Sequence, residues 1–226
     1  MAAPGRSRGR GILTTIAVAT VVVLALGTAS LATTVHTAHE TNSRAAVTSK
    51  RAFHDGMRKL WIDHVTWTRL FIVSFVADVP DLQATTERLL QNQTDIGDAV
   101  KPFYGRAAGN ALTDLLEGHI LTAADLLGAA KAGDSDAFEA AKAAWYENGR
   151  QIAGFLHDAN PENWRLRDLK MMMREHLDIT LAEAAAQLGG DYAASIEAFD
   201  AAEVEIIHMA DMLSAGIMKQ FPKKFA

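Results

Sequence analysis

The sequence predicts an all-α fold: an up-down antiparallel bundle of six helices, built as three helix-hairpin repeats after an N-terminal transmembrane or signal helix. Three observations carry this expectation. From about Arg51 onward, apolar residues recur with a 3.6-residue period, and no alternating strand pattern competes. Alanine is abundant, and β-branched residues are few after the first fifty positions. The periodic segments are also cut by proline or by a glycine followed by aspartate, which is how helices stop and restart.

The first element is the N-terminal one. A basic tail (residues 1 to 10) carries Arg6, Arg8 and Arg10, and GILTTIAVATVVVLALGTASLATTV (residues 11 to 35) follows without a charged side chain. About 20 apolar residues at ~1.5 Å each span a bilayer core, and a basic flank stays on the cytoplasmic side. The expectation is a single pass through the cytoplasmic membrane, with the C-terminal domain outside. A signal peptide competes with this reading, with small residues at Ala25-Leu26-Gly27 and Thr28-Ala29-Ser30 as cleavage positions; cleavage would make the domain secreted. Residues 36 to 50, rich in Thr, Ser, Ala and His, read as a linker, and 51 to 222 as one helical domain of ordinary size.

Each helix has its own warrant. Leu60, Trp61, His64, Trp67, Thr68, Phe71 and Phe75 share one stripe, which ends near Val79-Pro80 because proline cannot continue a helix. Asp81 opens a second helix with Leu82, Leu89, Ile96 and Val100, closed by Lys101-Pro102. Leu112, Leu115, Leu116, His119, Thr122, Ala123 and Leu126 make a third, stopping at Gly133. Asp134-Ser135 restarts the chain, and Phe138, Trp145, Ile152 and Leu156 line a fourth helix up to Asn160-Pro161. Leu166, Leu169, Met172, Met173, His176, Ile179 and Thr180 make a fifth, ending at Gly189-Gly190. The sixth runs from Asp191 to about Gln220.

Repetition shows as arithmetic. A shift of 57 carries His119 onto His176 and Ala153-Gly154-Phe155-Leu156 onto Ala210-Asp211-Met212-Leu213; shifts of 55 and 56 carry His64 onto His119 and Ile96 onto Ile152. Residues equidistant from the turn of an antiparallel hairpin share a height, since both helices rise equally per residue. His64 with Asp95, His119 with Gln151 and His176 with His208 are centred on 79.5, 135 and 192, each beside a turn. One level of the bundle is therefore expected to hold His64, His119, His176 and His208, with Asp95 alongside.

Imidazoles and carboxylates converging inside a bundle are what a transition metal (Zn, Cu, Fe or Mn) needs. His208 and Asp211 add an i, i+3 donor pair, and Asp98 stands in the first unit where Asp211 stands in the last. The candidate metal ligands are therefore His64, His119, His176, His208, Asp95 and Asp211. A plainer expectation competes: a structural or ligand-sensing bundle whose core histidines are satisfied by hydrogen bonds, Thr68 and Thr180 being partners within one helix. Met171, Met172, Met173, Met209 and Met212 suit Cu(I) but also suit a core. Glu117 and Glu175 beside two of the histidines suit an acid/base pair or a solvated face. Trp61, Trp67, Trp145 and Trp164 suit packing or a ligand pocket. Arg69 and Arg150 suit an anion, or salt bridges to residues such as Asp63 and Glu147.

Other classes are excluded or left without support. Without Arg6, Arg8 and Arg10, three of the 22 lysines and arginines, the formal charge falls from −5 to −8, so no basic stripe remains to follow a nucleic acid. No phosphate-binding glycine motif and no G-x-S-x-G occurs, and no other catalytic motif identifies an enzyme. With zero cysteines, disulfides and thiolate sites are absent. The stretches LWIDHVTWTR (60 to 69), DLQATTERLLQNQTDIG (81 to 97) and LSAGIMKQFP (213 to 222) resemble a group of bacterial all-helical proteins, the likeness covering residues 54 to 222. That resemblance implies an all-helical domain. It assigns no activity, cofactor, protein partner or functional residue.

Overall fold

A computed structural model describes the backbone of residues 34 to 225 and the side chains of residues 49 to 225. The described chain is all-α: α1 (Thr34–Val76), α2 (Leu82–Ala132), α3 (Ser135–Ala159), α4 (Leu166–Gly189), α5 (Tyr192–Gln220) and a closing 3₁₀ turn (Pro222–Phe225). The stretch read as a linker continues α1 backwards to Thr34. Apart from its last two residues, the apolar run 11 to 35 lies outside the described residues. Among those described, no helix is long and apolar enough to cross a membrane.

Among the described residues, the second and third expected helices are the two arms of α2, and the corner between them lies at Gly105 because the helix runs through Lys101-Pro102 without a break. Its one non-helical residue is Gly105, at φ 85° and ψ 167°, a region essentially restricted to glycine. The chain turns back on itself there. Twelve residues of straight helix span ~18 Å, yet a Cβ placed on Gly97 would meet the carbonyl oxygen of Gly109 at 2.7 Å. The absence of side chains at Gly97 and Gly109 lets the two arms of α2 touch just after the corner.

The other corners follow helix-end chemistry. Gly133 and Gly190 take left-handed φ values of 70° and 76°, and the next residues, Asp134 and Asp191, donate back to Ala129 O and Ala186 O at 3.1 and 3.0 Å. Asp134 and Asp191 then cap α3 and α5, accepting from the backbone N–H groups of Ala137 and Ala194 at 3.0 and 3.1 Å. Helix α2 packs on α1 and α3, α4 packs on α3 and α5, and α5 closes the ring on α1. Ile96, Ile152, Ala153, Ile206, Ala210 and Ile217, all essentially inaccessible, form its centre, each large one stabilising by about 1.5–3 kcal/mol. Phe53, Phe103, Phe221 and Phe225 cluster at the end near Gly105, with the rings of Phe103 and Phe225 stacked. The helices that carry His64, His119 and His176 all run towards the opposite end.

Candidate metal centre

His64 from α1, His119 from the second arm of α2 and His176 from α4 meet in the core. Their ring centroids are 6.4, 5.6 and 6.1 Å apart, and one nitrogen from each lies within 4.8 Å of the others. All three are buried, at 3, 3 and 5% exposure. The indole of Trp145 stacks on His119 at 5.4 Å, and Trp61 meets His64 edge-on at 5.8 Å.

Each ring faces a polar side chain 29 residues further along the chain, on the returning helix of its hairpin. His119 Nδ1 donates to Asn148 Oδ1 at 3.0 Å, and His176 Nδ1 donates to Glu205 Oε2 at 3.2 Å. Gln93 stands in the same relation to His64 and favours its protonated form, but His64 Nδ1 and Gln93 Oε1 both lack a partner in hydrogen-bond geometry. Holding the proton on Nδ1 leaves the lone pair on Nε2, the arrangement that orients histidines in metal sites. Asn148 Nδ2 in turn donates to Leu115 O, and Asn92 Nδ2 to Leu60 O, both at 3.0 Å, four residues before their histidines.

Burial also selects the metal-binding protonation state. His64 is held well below the usual imidazole range, first by burial and then by His176 and His119. His119 is pushed down to about 3, again by burial first and then by His176, with Asn148 acting weakly the other way. Both rings are therefore neutral donors at neutral pH. Three imidazole nitrogens at ~2.1 Å from one tetrahedral ion stand ~3.4 Å apart, so the rings need to draw in by about 1 Å to grip it together.

The remaining expected ligands lie elsewhere. His208 is exposed on the outer side of α5. Asp95 lies on the flank of α2, accepting from Gln91 Nε2 at 3.0 Å with Arg88 at 3.9 Å. Asp211 is gripped by Arg58 through two 2.6 Å bonds and by His54 Nε2 at 2.9 Å, and this guanidinium holds its carboxyl below the usual range. Asp98 pairs with Lys101. Gln151, matched by height to His119, is exposed. Thr68 and Thr180 do not bond the histidine rings; each donates to the backbone carbonyl of its histidine, at 2.8 Å.

Met173 and Met209 are core filler and Met171 is exposed. Arg150 pairs with Glu147 at 2.7 Å, while Arg69 meets the buried Glu183 at 2.8 Å and Ser195 at 3.2 Å. Burial raises the Glu183 carboxyl, and Arg69 opposes that rise.

Sequence reasoning missed Gln93, Asn148 and Glu205. The constant spacing of 29 from the three histidines was the signal that could have found them. Compared with known proteins, the chain matches no family model, no curated protein and no solved structure.

Proposed function

We propose that the domain binds one divalent transition-metal ion through His64, His119 and His176. The observation that carries this reading is three buried imidazoles from three helices with ligand atoms within 4.8 Å of one another. Imidazole without carboxylate or thiolate suits Zn(II) and Cu(II), then Fe and Ni, better than Mn. Three histidines leave a fourth position for water or another ligand, the pattern of open zinc sites. Gln93, Asn148 and Glu205 act on the rings rather than on the ion, and their shared spacing supports three hairpins built as copies of one unit. The basic tail and the apolar run 11 to 35 support a domain held outside the cytoplasmic membrane. Protease accessibility on intact and lysed cells tests that placement.

Elemental analysis of protein purified without an affinity tag tests the metal. Stoichiometric metal is expected, lost in the double variant His119→Ala, His176→Ala, together with a fall in melting temperature on adding chelator to the wild type. Metal-free protein that chelator leaves unchanged, and that takes up neither zinc nor copper on dialysis, overturns the reading. In that case the layer is a structural one, which the hydrogen bonds of His119 and His176 favour; the unpartnered His64 Nδ1 speaks against it.

A further inference from the structure

A half-open pocket of about 310 Å³ lies between the end of α2, the start of α3 and the last turns of α4. Its interior is walled by the buried Phe71, Leu89, Leu126 and Leu127. It meets solvent where the half-buried Phe138 and Leu181 and the exposed Ala185 line it. A dry apolar cavity of about 150 Å³ holds benzene, so this volume takes on the order of a dozen non-hydrogen atoms. One turn of a partner's helix, ~10 Å wide and ~5.4 Å long, would need ~400 Å³. The space therefore suits a small molecule better than a docked helix.

The inside and the mouth differ in chemistry. No charged residue lines the pocket. The hydroxyl hydrogens of Thr68 and Thr180 are spent on the carbonyls of His64 and His176, and the indole N–H of Trp145 has essentially no accessible surface. A polar group drawn inside would lose its water and gain nothing, so an occupant keeps any polar group at the mouth. There Lys142, one turn after Phe138 on α3, holds its ammonium 5.7 Å from the centre of the Phe138 ring. Among the described residues no carboxylate lies within ion-pair distance of it. Lys131, close by in the chain, is taken by Asp78 at 2.6 Å.

Leu181 is shared with a neighbouring polar groove that also contains Lys142, Arg150, Arg174, Glu139 and Asp178. Arg150 is held by Glu147 at 2.7 Å, while Asp178 meets Arg174 at 3.4 Å and accepts from Tyr146 Oη at 2.5 Å. That leaves Lys142 and Glu139 as the unengaged charges. Lys142 is half-buried beside a lining ring and Glu139 is exposed, so the lysine is the less screened of the two.

We propose that the pocket binds a small anionic amphiphile tail-first, its hydrocarbon chain among Phe71, Leu89 and Leu127 and its anionic head in solvent at the mouth beside Lys142. The site takes nothing from the metal reading, since none of His64, His119 and His176 lines it.

Calorimetric titration with straight-chain probes tests both halves. From hexanoate to decanoate, affinity rises by about fourfold per methylene, as expected for a chain entering an apolar space. Octanoate binds at least tenfold more tightly than octyltrimethylammonium, which has the same chain and the opposite head charge. Lys142→Met narrows that gap severalfold, as does added salt, and Glu139→Gln widens it. Ala184→Phe fills the pocket and abolishes binding of every probe; the milder Ala130→Leu weakens all of them if that variant does not fold. Folded wild-type protein that binds no alkanoate, or binds all chain lengths alike, overturns the pocket. Equal affinity for the two heads, unchanged in Lys142→Met, overturns the anionic assignment. Protein that self-associates at micromolar concentration, is made monomeric by Ala184→Phe and ignores decanoate would show that a second copy covers the mouth, and the proposal falls.

Discussion

The metal-free protein should lose stability on mild acidification, and His119 sets a scale for the loss. An unfolded imidazole titrates near 6.5, while the folded His119 titrates at about 3. The folded pKa is the lower one, so the stabilising contribution is present above pH 6.5 and is lost as the pH falls from 6.5 towards 3. Over the whole window, ~3.5 pKa units at ~1.4 kcal/mol each amount to about 5 kcal/mol. Between pH 7.5 and 4.5 the unfolded ring takes up nearly one proton and the folded ring almost none, which removes about 2.7 kcal/mol. His64 moves in the same direction for the same cause.

Carboxylates titrate over part of that range too, so the informative quantity is a difference. Urea unfolding in chelator compares the wild type with His119→Gln at pH 7.5, 6.5, 5.5 and 4.5. The variant is less stable at pH 7.5 because it disturbs a buried layer. Its deficit then narrows by about 2.7 kcal/mol at pH 4.5, since it has no ring to protonate. A deficit constant within roughly 0.5 kcal/mol across the series would refute the reasoning, because it would mean that the folded ring accepts a proton as easily as the unfolded one. In zinc-loaded protein the transition should sharpen, as protons then displace the ion as well.

Three further outcomes rest on the packing. Arg69→Met strands Glu183, 2% exposed, without its cation, so unfolding free energy should drop by about 3–5 kcal/mol at neutral pH, with part of the loss recovered in acid, where a protonated Glu183 needs no counter-ion. A loss under roughly 1 kcal/mol by urea titration would show the pair to be dispensable. Gly105→Ala places a side chain at φ 85°, ψ 167° and should cost about 1–3 kcal/mol, read as a lower urea midpoint with metal content intact. Gly216→Ala drives a Cβ to 2.7 Å from Cε2 of Trp164, so Trp164 has to shift; calorimetry should show a lower melting temperature, by about 1–3 kcal/mol in stability, and an unchanged one would mean the loop around Trp164 gives way freely.

The helices and the three converging histidines were legible because both depend on periodicity, which survives small errors of position. The partners of the histidines were not, and the reason is geometric. In a hairpin, an error in the turn centre doubles at the facing residue. The expected centres, 79.5, 135 and 192, lie 1 to 1.5 residues beyond those implied by Gln93, Asn148 and Glu205, and so pointed at Asp95, Gln151 and His208. The correct centres fall at Gly133-Asp134 and Gly190-Asp191, where a left-handed glycine ends one helix and an aspartate caps the next. Reading those two pairs as turn apices, rather than as the start of the following helix, would have placed Asn148 and Glu205. Gly105 was overlooked for a related reason: Lys101-Pro102 looked like the stop, yet the helix tolerates Pro102 and the corner waits for the next residue able to adopt its backbone angles. The Arg69–Glu183 pair joins residues 114 apart, and no local pattern announces it.

The three partners are alike in place and unlike in charge, and that difference bears on what the centre can hold. A divalent ion on three neutral imidazoles brings its full charge into a core where nearby apolar side chains offer no compensation. Gln93 and Asn148 are amides; Glu205 is the one acid among the three, with Oε2 on His176 and Oε1 buried without a partner. In its ionised form it offsets one charge through His176, strengthening that ring as a donor, and leaves one positive charge for a hydroxide or another anionic ligand at the fourth position. Glu205→Gln makes all three partners amides with almost no change of shape. Zinc affinity should then fall by about 10–100-fold, as for other side chains that orient metal-bound histidines, while Asn148→Ala, which frees His119 without changing charge, loses less. Competition with a chromophoric chelator at fixed pH measures both. If Glu205→Gln binds zinc as tightly as the wild type while the folded melting curve is unchanged, the carboxylate does not balance the ion, and the case for an anionic fourth ligand falls with it.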